Sequence, residues 1–547
     1  MKRSRTAFIA AVAAAALMLT ACGGNAAAPD NTTAVAEGGA VTAGIKQSWV
    51  GFNPYVTDQG VSAGLVISNA IFPSAFNVRS DQTAELNEDL LASAEITSED
   101  PLTIEYVIQD DATWSDGEPI TGDDFVYLWK HLNGSIPDLL TTNATGYSMI
   151  SDVAQDSSGK KVTATFSRPF GDWRSLFSPI LPSHQMQTLG SDPAAFNTGL
   201  IDTVPVSGGA FEIAENKYEE YLVLKKNAKW YGTPAHLDQV TLRFVGDDQA
   251  AIQALSSGDI DVSIDLKATR ALIAQAQAQT NLNTEVVPTT TLQFINTQLR
   301  DPVIALLPVR EAIATAIDPA TLIKSFFGDG NENLIGLHHI FPPTSTFYES
   351  NRPDGFGSGD IKAARKFLTD AGFTPGADGI MQKDGMRLST TALARAEDSV
   401  ANQAGVLMQD TLKKVGIEIE VKAVASADYF PTLSSGAYGI GLGNMPATAF
   451  PAAFYSALYT CDGGYNFAKI CSEKIDGLFD EAIAATDPEA QAKIVQEIDK
   501  ELWAIQGNIP MFAVPALMSY NKRLQDIDVK LPKEWLLHDA QNWSVAG

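Results

Sequence analysis

The chain has 547 residues and a net charge of −27 at pH 7, and 45% of its residues are hydrophobic. This length is enough for about three domains, and the apolar content is that of a globular protein with a proper core. The strong negative charge repels phosphate backbones. It therefore argues against a nucleic-acid-binding protein and weakens the case for a basic surface that binds membranes.

The first residues have the pattern of a secretory signal. Basic residues precede an apolar stretch over residues 7–19, which is too short for the roughly 20 residues that span a bilayer. Cys22 follows the small residues Thr20 and Ala21, and this junction resembles the lipobox of bacterial lipoproteins, in which the cysteine is lipidated. An ordinary signal peptide with an incidental cysteine is the alternative. We therefore expect a signal peptide over residues 1–21 and a lipid anchor on Cys22, which holds the protein to the cell membrane outside the cytoplasm.

A tether and a series of strands follow the signal. Residues 22–40 are small and polar and have no pattern, which predicts a flexible tether, with the folded body starting near Val41. In the body, alternating apolar residues predict strands over residues 103–109, 161–166 and 240–244.

Two segments predict helices with clear boundaries. Thr121 and Asp124 have the spacing of a capping box before an apolar run, which predicts that a helix begins there. Apolar residues over 404–415 recur at helical spacing, Gly416 ends that stripe, and residues 417–423 then alternate as a strand. A helix, a glycine and a strand in this order are typical of an α/β unit. The predicted fold class is therefore α/β, with several domains.

Cys461 and Cys471 lie close together in an exported chain, which predicts a disulfide that closes a short loop. The alternative, a metal-binding pair, lacks neighbouring ligands, because the six histidines lie far off in the sequence. Asp259, Asp261 and Asp265 alternate along one segment, and we interpret them as a solvated strand edge rather than as a metal site. We therefore expect a disulfide and no bound metal.

Sequence motifs for catalysis are incomplete in this chain. Residues 60–64 match the G-x-S-x-G pattern of serine hydrolases, but the residues before them make a poor strand. Residues 329–333 open like a calcium loop, but Leu334 occupies the position of the required glycine. The sequence has no G-x-x-x-x-G-K-[ST] loop for phosphate and no H-E-x-x-H helix for zinc. We therefore expect no enzymatic activity and no cofactor.

Six segments together resemble the family 5 extracellular solute-binding proteins of ABC importers, the oligopeptide- and dipeptide-binding group. They include a W-S-D-G-x-P-x-T turn before a capped helix, an N-x-x-W-x-G-x-P segment and a V-R-x-A-x-x-x-A-I-D signature, in the order that the family has. The segments are residues 104–128, 205–262, 309–319, 360–373, 403–421 and 509–513.

Three other segments suggest a narrower relationship within this family. Residues 49–76, 127–129 and 173–182 are similar to an actinobacterial lipoprotein branch. The best-studied member of that branch is linked to phosphatidylinositol mannoside and lipoarabinomannan synthesis rather than to peptide uptake.

The resemblance implies a two-lobed, periplasmic-binding-protein-like fold of the class II, three-domain peptide-binding type, with a ligand cleft between the lobes. Two chain crossings would form the hinge, near residues 294–296 and near residues 509–510. The implied division is lobe one over 41–75, 201–290 and 511–547, an inserted domain over 76–200 and lobe two over 291–510.

The resemblance also implies a function. A protein of this family closes its lobes around a solute and delivers it to a membrane permease, without breaking a bond. We expect a monomer that captures peptides or another small solute and works with the permease subunits of an ABC importer. The alternative is an accessory lipoprotein of cell-envelope glycolipid synthesis, which acts through protein contacts instead of transport.

The candidate ligand contacts follow from positions in the family fold. In peptide binders an aspartate in a lobe-two loop takes the amino group of the peptide, but the corresponding residues 441–451 contain no acid. Because a buried ammonium without a carboxylate is costly, a neutral or amide-like ligand, a sugar head group or no transported ligand is the alternative to a free-amine peptide. The predicted ligand-binding residues are Trp49, Phe52, Asn53, Phe72, Ser74, Phe76, Asn444, Met445, Phe450, Tyr465 and Asn466.

Overall fold

The computed structural model describes residues 38–60, 62–139, 141–142, 144–189 and 193–546. The predicted signal peptide, Cys22 and most of the predicted tether lie outside these described residues. The first described strand covers Ala40–Ile45, next to the predicted start of the folded body near Val41. Within the described ranges, no helix is both long enough and apolar enough to cross a membrane.

Strands and helices alternate along the described chain. The earlier strands are β1 (Ala40–Ile45), β2 (Phe76–Val78), β3 (Ala84–Leu86), β4 (Leu91–Glu99), β5 (Leu102–Ile108), β6 (Ile150–Gln155), β7 (Lys161–Phe166), β8 (Phe211–Lys217), β9 (Tyr221–Lys226), β10 (Gln239–Phe244) and β11 (Val262–Lys267). The later strands are β12 (Leu282–Thr297), β13 (Thr374–Pro375), β14 (Met381–Lys383), β15 (Met386–Arg387), β16 (Ser389–Arg395), β17 (Glu418–Val424), β18 (Ile440–Pro446), β19 (Asn508–Asn521), β20 (Leu524–Gln525) and β21 (Ser544–Val545).

The helices fill the connections between these strands. The α-helices are α1 (Ser62–Ile71), α2 (Gly122–Leu132), α3 (Ser183–Thr188), α4 (Pro193–Thr198), α5 (Asp248–Ser257), α6 (Arg270–Gln277), α7 (Leu307–Ala316), α8 (Pro319–Phe327), α9 (Ile361–Asp370), α10 (Ser399–Val415), α11 (Ser426–Ser435), α12 (Pro451–Tyr459), α13 (Glu473–Ala484) and α14 (Pro488–Ile505). Short 3-10 segments cover Tyr147–Met149, Gly171–Ser175, Glu332–Leu334, Lys533–Trp535 and His538–Asn542.

One ten-stranded sheet runs through the folded body, in the order β17-β16-β18-β12-β19-β11-β1-β10-β9-β8. Its two central strands, β12 and β19, are sixteen and fourteen residues long and pair antiparallel along most of their length. The end of β12 pairs with β18, and the end of β19 pairs with β11, so these two strands cross from one half of the sheet to the other. We call the half with β8, β9, β10, β1 and β11 lobe one, and the half with β18, β16 and β17 lobe two.

A separate four-stranded antiparallel sheet, in the order β4-β5-β7-β6, forms the inserted domain with α2. The predicted strands over 103–109 and 161–166 are confirmed as β5 and β7, and the strand over 240–244 as β10. The predicted capping box is also confirmed: the Thr121 hydroxyl accepts from a first-turn amide of α2, and the Asp124 carboxylate accepts from the Thr121 amide.

The predicted α/β unit is confirmed in lobe two. Helix α10 buries the stripe that includes Ala404, Met408, Leu412 and Val415, and it ends at Gly416, whose φ of 103° is in the left-handed region. The helix connects β16 to β17, which pair in parallel. Strand β18 also runs parallel to β16, so the carboxyl ends of β16 and β18 lie at the same edge of the sheet.

Three large apolar clusters hold the body together. The first joins lobe one to the inserted domain, and the second packs α5 to α10 against the crossing strands β12 and β19. The third lies within lobe two and joins α12, α13 and α14. The first cluster is therefore shared by lobe one and the inserted domain, the second is shared by both lobes at the crossing strands, and only the third is confined to lobe two.

Candidate functional site: the cleft between the lobes

The two crossing strands pair in three stretches, which two register shifts separate. Strands β12 and β19 are in register from Leu282 to Pro288, and the register then shifts twice, between Pro288 and Leu292 and between Gln293 and Phe294. Within the first shift the Thr289 hydroxyl donates to the Val514 carbonyl at 2.6 Å. The predicted hinge residues 294–296 and 509–510 begin directly at the second of these register shifts.

A cavity of about 370 Å³ lies beside these strands, between both lobes and the inserted domain. We call it the interlobe cavity. Lobe one contributes Tyr55 and Asn69, the inserted domain contributes Phe170 and Asp172, and the loop after β18 contributes Thr448. Side chains from three separate parts of the fold therefore surround one space, as a ligand that bridges the lobes requires.

Asp172 connects the inserted domain to lobe two at the edge of the interlobe cavity. Its carboxylate accepts hydrogen bonds from the Ala453 amide at 3.1 Å and from the Gln491 side chain at 2.8 Å. Ala453 lies in the first turn of α12, where a negative charge is favoured by the helix dipole. Burial nevertheless outweighs these hydrogen bonds and raises the pKa of Asp172 to about 6.

Two further contacts show how closely the inserted domain approaches lobe two. A Cβ on Gly171 would lie 2.0 Å from the Ala485 carbonyl oxygen, so this position of the inserted domain has room only for glycine. The Thr346 amide of lobe two donates to the Asp81 carbonyl at 3.1 Å. The inserted domain and lobe two therefore touch in this structure.

A second cavity, of about 340 Å³, lies within lobe two. We call it the aromatic cavity. Its polar lining includes Asn296, Arg395, Asn444 and Asn508. Its aromatic residues are Tyr429, Phe430, Tyr438, Phe454, Tyr465 and Phe467.

A third cavity, of about 290 Å³, lies where the two lobes meet at the crossing strands. We call it the hinge cavity. Lys267 of lobe one and Asp398 of lobe two both line it. Arg395 and Asn444 line the hinge cavity and the aromatic cavity, and Phe454 lines the aromatic and interlobe cavities. The three cavities are therefore neighbours along one face of lobe two.

The tertiary structure brings a carboxylate next to the loop that lacks one. Asp398 caps α10 by accepting from the Ala401 amide at 3.0 Å, and its other oxygen accepts from the Asn444 side chain at 3.4 Å. A carboxylate from another segment therefore lies beside residues 441–451, which contain no acid themselves. Arg395 and Asp398 were missed in the sequence, although polar residues between a parallel strand and its helix are a known signal for ligand sites.

Five of the predicted ligand-binding residues line the cavities. Phe76 and Phe450 line the interlobe cavity, and Phe76 also packs edge-on against Trp173 of the inserted domain. The aromatic cavity is lined by Asn444, Met445 and Tyr465.

The other six predicted residues are buried and line none of the three cavities. The Trp49 indole donates to the Asn216 side chain, and the Asn53 side-chain amide donates to the Phe196 carbonyl. Asn466 donates to the Thr460 and Ile470 carbonyls inside its own loop. The side chains placed in this way are Trp49, Phe52, Asn53, Phe72, Ser74 and Asn466.

The predicted disulfide between Cys461 and Cys471 is confirmed. It closes the loop that carries Tyr465 and Phe467, so it holds one wall of the aromatic cavity. In the parts of the chain that the structure describes, no three histidine, cysteine, aspartate or glutamate side chains form a group that could hold a metal ion.

Comparison with known proteins agrees with this architecture. The family model described as bacterial extracellular solute-binding proteins, family 5 Middle, matches residues 85–466. The oligopeptide-binding protein OppA of Mycobacterium tuberculosis (strain ATCC 25618 / H37Rv) is 25% identical over 479 residues, which cover 86% of this chain and 79% of OppA. The probable monoacyl phosphatidylinositol tetramannoside-binding protein LpqW of the same strain is 26% identical over 411 residues, which cover 69% of this chain and 63% of LpqW.

A solved structure extends the agreement to the whole fold. The periplasmic EDTA-binding protein EppA matches with a TM-score of 0.87 at 28% identity, over 95% of this chain and 98% of EppA. The predicted two-lobed α/β fold with a cleft between its lobes is therefore confirmed. The matched family region includes the four-stranded sheet of the inserted domain, strand β12 and the cavity-lining residues of β16 and β18. This chain belongs to the bacterial extracellular solute-binding proteins, family 5.

Proposed function

We propose that this protein is the substrate-binding component of an ABC importer, which captures peptides or a related solute outside the cytoplasm and delivers it to a membrane permease. The observation that carries the proposal is the interlobe cavity, because both lobes and the inserted domain contribute side chains to it beside the two crossing strands. The relationship to OppA supports peptides as the solute class. The relationship to EppA supports other small solutes as further candidate ligands.

Capture works through lobe closure. A ligand in the interlobe cavity contacts lobe one and lobe two together only when the lobes are close, so it favours the closed arrangement by its difference in affinity for the two arrangements. The Asp172 contacts with Ala453 and Gln491 add to the closed arrangement without any ligand. We assign the flexing point to the interrupted pairing between Pro288 and Leu292, because fewer backbone hydrogen bonds resist bending there.

The protein acts by binding and not by catalysis in this proposal. It works as a monomer, and a lipid on Cys22 holds it at the membrane beside its permease, with residues 22–40 as the tether. The division into lobe one over 41–75, 201–290 and 511–547, the inserted domain over 76–200 and lobe two over 291–510 is part of the same proposal. It agrees with the positions of β12 and β19 in the sheet.

Native mass spectrometry of the freshly purified protein tests the proposal. We expect a co-purifying mass in the range of short peptides, which is lost after unfolding and refolding. Isothermal titration calorimetry with a tripeptide library on the refolded protein should then give saturable binding. If mass spectrometry finds no co-purifying ligand and no peptide of the library binds, these results would contradict a transport function.

The relationship to LpqW supports a second candidate, an accessory lipoprotein of cell-envelope glycolipid synthesis. This role predicts a stable protein partner and no transported solute. Affinity capture from native membranes distinguishes the two, because the importer role predicts permease subunits and the accessory role predicts enzymes of glycolipid assembly.

A further inference from the structure

Gln82 lies in the turn between β2 and β3 and lines the interlobe cavity. We call residues 79–83 the β2–β3 turn. The Arg79 amide donates to the Thr83 carbonyl at 2.9 Å, and the Gln82 amide donates to the Arg79 carbonyl at 3.0 Å, so the backbone of the turn is closed. Gln82 has a φ of 66°, in the left-handed region that favours glycine. A residue with a long side chain in this conformation points to a functional position.

The side-chain amide of Gln82 is buried, and its nitrogen is unpaired. The residue is 7% exposed, and its Nε2 has no hydrogen-bond partner among the residues that the structure describes. Another donor of the interlobe cavity is already used within the protein, because the Tyr55 hydroxyl donates to the Pro179 carbonyl. Since an unpaired buried donor is costly, an acceptor in the cavity beside Gln82 would be favoured. The last torsion of a glutamine side chain is broad, so the amide can turn toward that acceptor.

The charge of the cavity lining indicates which acceptor fits. Asp172 and Glu534 line the interlobe cavity, and among the described residues no lysine, arginine or histidine lines it. Two acids without a base disfavour an anionic group, because like charges repel. The acceptor that suits Gln82 is therefore an uncharged oxygen, such as an amide carbonyl or a hydroxyl.

The residue before Gln82 connects the same turn to lobe two. The Asp81 carbonyl, which belongs to the peptide bond to Gln82, accepts from the Thr346 amide at 3.1 Å. The Asp81 carboxylate accepts from the Thr83 amide at 3.0 Å and from the Thr83 hydroxyl at 2.6 Å, which fixes the turn around this carbonyl. Consecutive residues of one turn therefore contact lobe two and line the interlobe cavity.

We propose that the β2–β3 turn couples ligand occupancy to the docking of the inserted domain on lobe two. The Gln82 side-chain amide donates to an uncharged oxygen of the ligand, while the neighbouring Asp81 carbonyl holds lobe two. A ligand bound to Gln82 favours the turn conformation that binds Thr346, so the ligand contact and the lobe contact stabilise one another. This inference rests on the proposed solute-binding function and adds a specificity-determining residue to it.

Isothermal titration calorimetry and stopped-flow dissociation with two probes test the inference. The tripeptide Ala-Ala-Phe offers amide carbonyls, and methyl α-mannoside offers hydroxyls. Gln82→Met keeps the length of the side chain but cannot donate a hydrogen bond. We expect it to raise the Kd of a bound probe about 10-fold, mainly through faster dissociation. The probe that shows this loss identifies a carbonyl or a hydroxyl as the source of the ligand oxygen.

A second variant distinguishes a donor from an acceptor at this position. Gln82→Glu cannot donate when it is ionised and adds a third negative charge to the lining, so it should weaken binding at least as much as Gln82→Met.

Gln187→Met is the matched control, because Gln187 is exposed on α3 and lines none of the three cavities. Its Kd should stay within about 2-fold of the wild-type value. Thermal unfolding should show that Gln82→Met is at least as stable as the wild type, because the substitution removes an unpaired buried amide. A purely structural role of Gln82 would instead lower stability together with affinity.

The results that overturn the inference are distinct from those that overturn the proposed function. A Kd within about 2-fold of the wild type in Gln82→Met, or unweakened binding in Gln82→Glu, overturns the inference and leaves solute binding intact. If neither probe binds the wild type, native mass spectrometry decides, since equal retention of the co-purifying mass in Gln82→Met and the wild type overturns the inference. The absence of both probe binding and any co-purifying mass overturns the proposed function and the inference with it.

Discussion

Asp172 couples lobe contact to pH. Its pKa is about 6 in the closed arrangement and would return toward 3.8 if the lobes separated and exposed it to water. Because the pKa of Asp172 is raised in the closed arrangement, its contact with lobe two favours closure fully below about pH 4. This contribution to closure is lost as the pH rises through about 6. The physical cause is burial, which penalises the carboxylate more than the Ala453 and Gln491 hydrogen bonds favour it.

We therefore predict that the unliganded protein is more closed at pH 5 than at pH 8. Small-angle X-ray scattering should give a smaller radius of gyration at pH 5. Asp172→Asn keeps a side chain of the same shape but cannot ionise, so its radius of gyration should not follow this pH dependence. The same pH dependence in the wild type and in Asp172→Asn would assign the effect to another group.

Asp499 fixes the start of the crossing strand β19. Its carboxylate accepts from the His339 amide and the His339 Nδ1–H, each at 2.7 Å, and the other ring nitrogen of His339 lies 2.8 Å from the Asn508 carbonyl oxygen. Burial opposes the charge on Asp499, but His338 and His339 outweigh burial and hold the pKa of this carboxyl below its ordinary value. Its contribution to stability is present at neutral pH and is lost as the pH falls through the lowered pKa.

Asp499→Ala should lower the free energy of unfolding by about 3–5 kcal/mol at pH 7, because it leaves buried partners of a charge unpaired. Urea denaturation followed by circular dichroism measures this difference. The matched control is Asp480→Ala on the exposed face of α13, which should change stability by less than about 0.5 kcal/mol. Equal losses in the two variants would show that the buried network has no special role.

At the scale of elements, the loop between α12 and α13 has a structural and a ligand-facing role. The disulfide spans a sequence separation of 10 residues, and Asn466 inside the loop donates to the Thr460 and Ile470 carbonyls. Tyr465 and Phe467 of the same loop line the aromatic cavity. The loop was predicted to be closed by a disulfide, but its position as a cavity wall depends on how α12 packs in lobe two.

Replacing both Cys461 and Cys471 by serine should lower the free energy of unfolding by about 2–3 kcal/mol, as expected for the release of a short loop. Thermal unfolding of the variant and of the wild type, each with and without reductant, measures this effect. Reductant should lower the midpoint of the wild type only. If the variant unfolds at the same midpoint as the wild type without reductant, the Asn466 hydrogen bonds alone hold the loop.

At the scale of the whole molecule, the two crossing strands allow the lobes to move as bodies. Lobe two has an apolar cluster of its own, one further cluster joins both lobes at the crossing strands, and the register of these strands shifts between Pro288 and Leu292 and again between Gln293 and Phe294. A ligand held by both lobes therefore shifts the molecule toward the closed arrangement.

Saturation with a bound solute such as Ala-Ala-Phe should reduce the radius of gyration and raise the midpoint of thermal unfolding. At a free concentration of about 100 times Kd, binding adds about 2.7 kcal/mol to the free energy of unfolding. Scattering and differential scanning calorimetry on the same sample measure both effects. A stabilised protein whose scattering does not change would show that the ligand binds one lobe only.

The sequence by itself determined the class of elements and the family. Strand and helix periodicities, the Thr121 capping box and the turn at Gly416 depend on neighbours within one or two turns, so local burial and hydrogen bonding are enough to predict them. The motifs predicted the family, and the family model that matches residues 85–466 confirms it.

Only the tertiary structure decided which residues face the cleft. Trp49 and Asn53 have a composition that suits a ligand site, but their partners lie 167 and 143 residues away and use their polar groups inside the fold. Arg395 and Asn444 become neighbours because β16 and β18 are adjacent parallel strands that end at the same edge. Strand order is set by packing across the whole chain, and no local pattern records it.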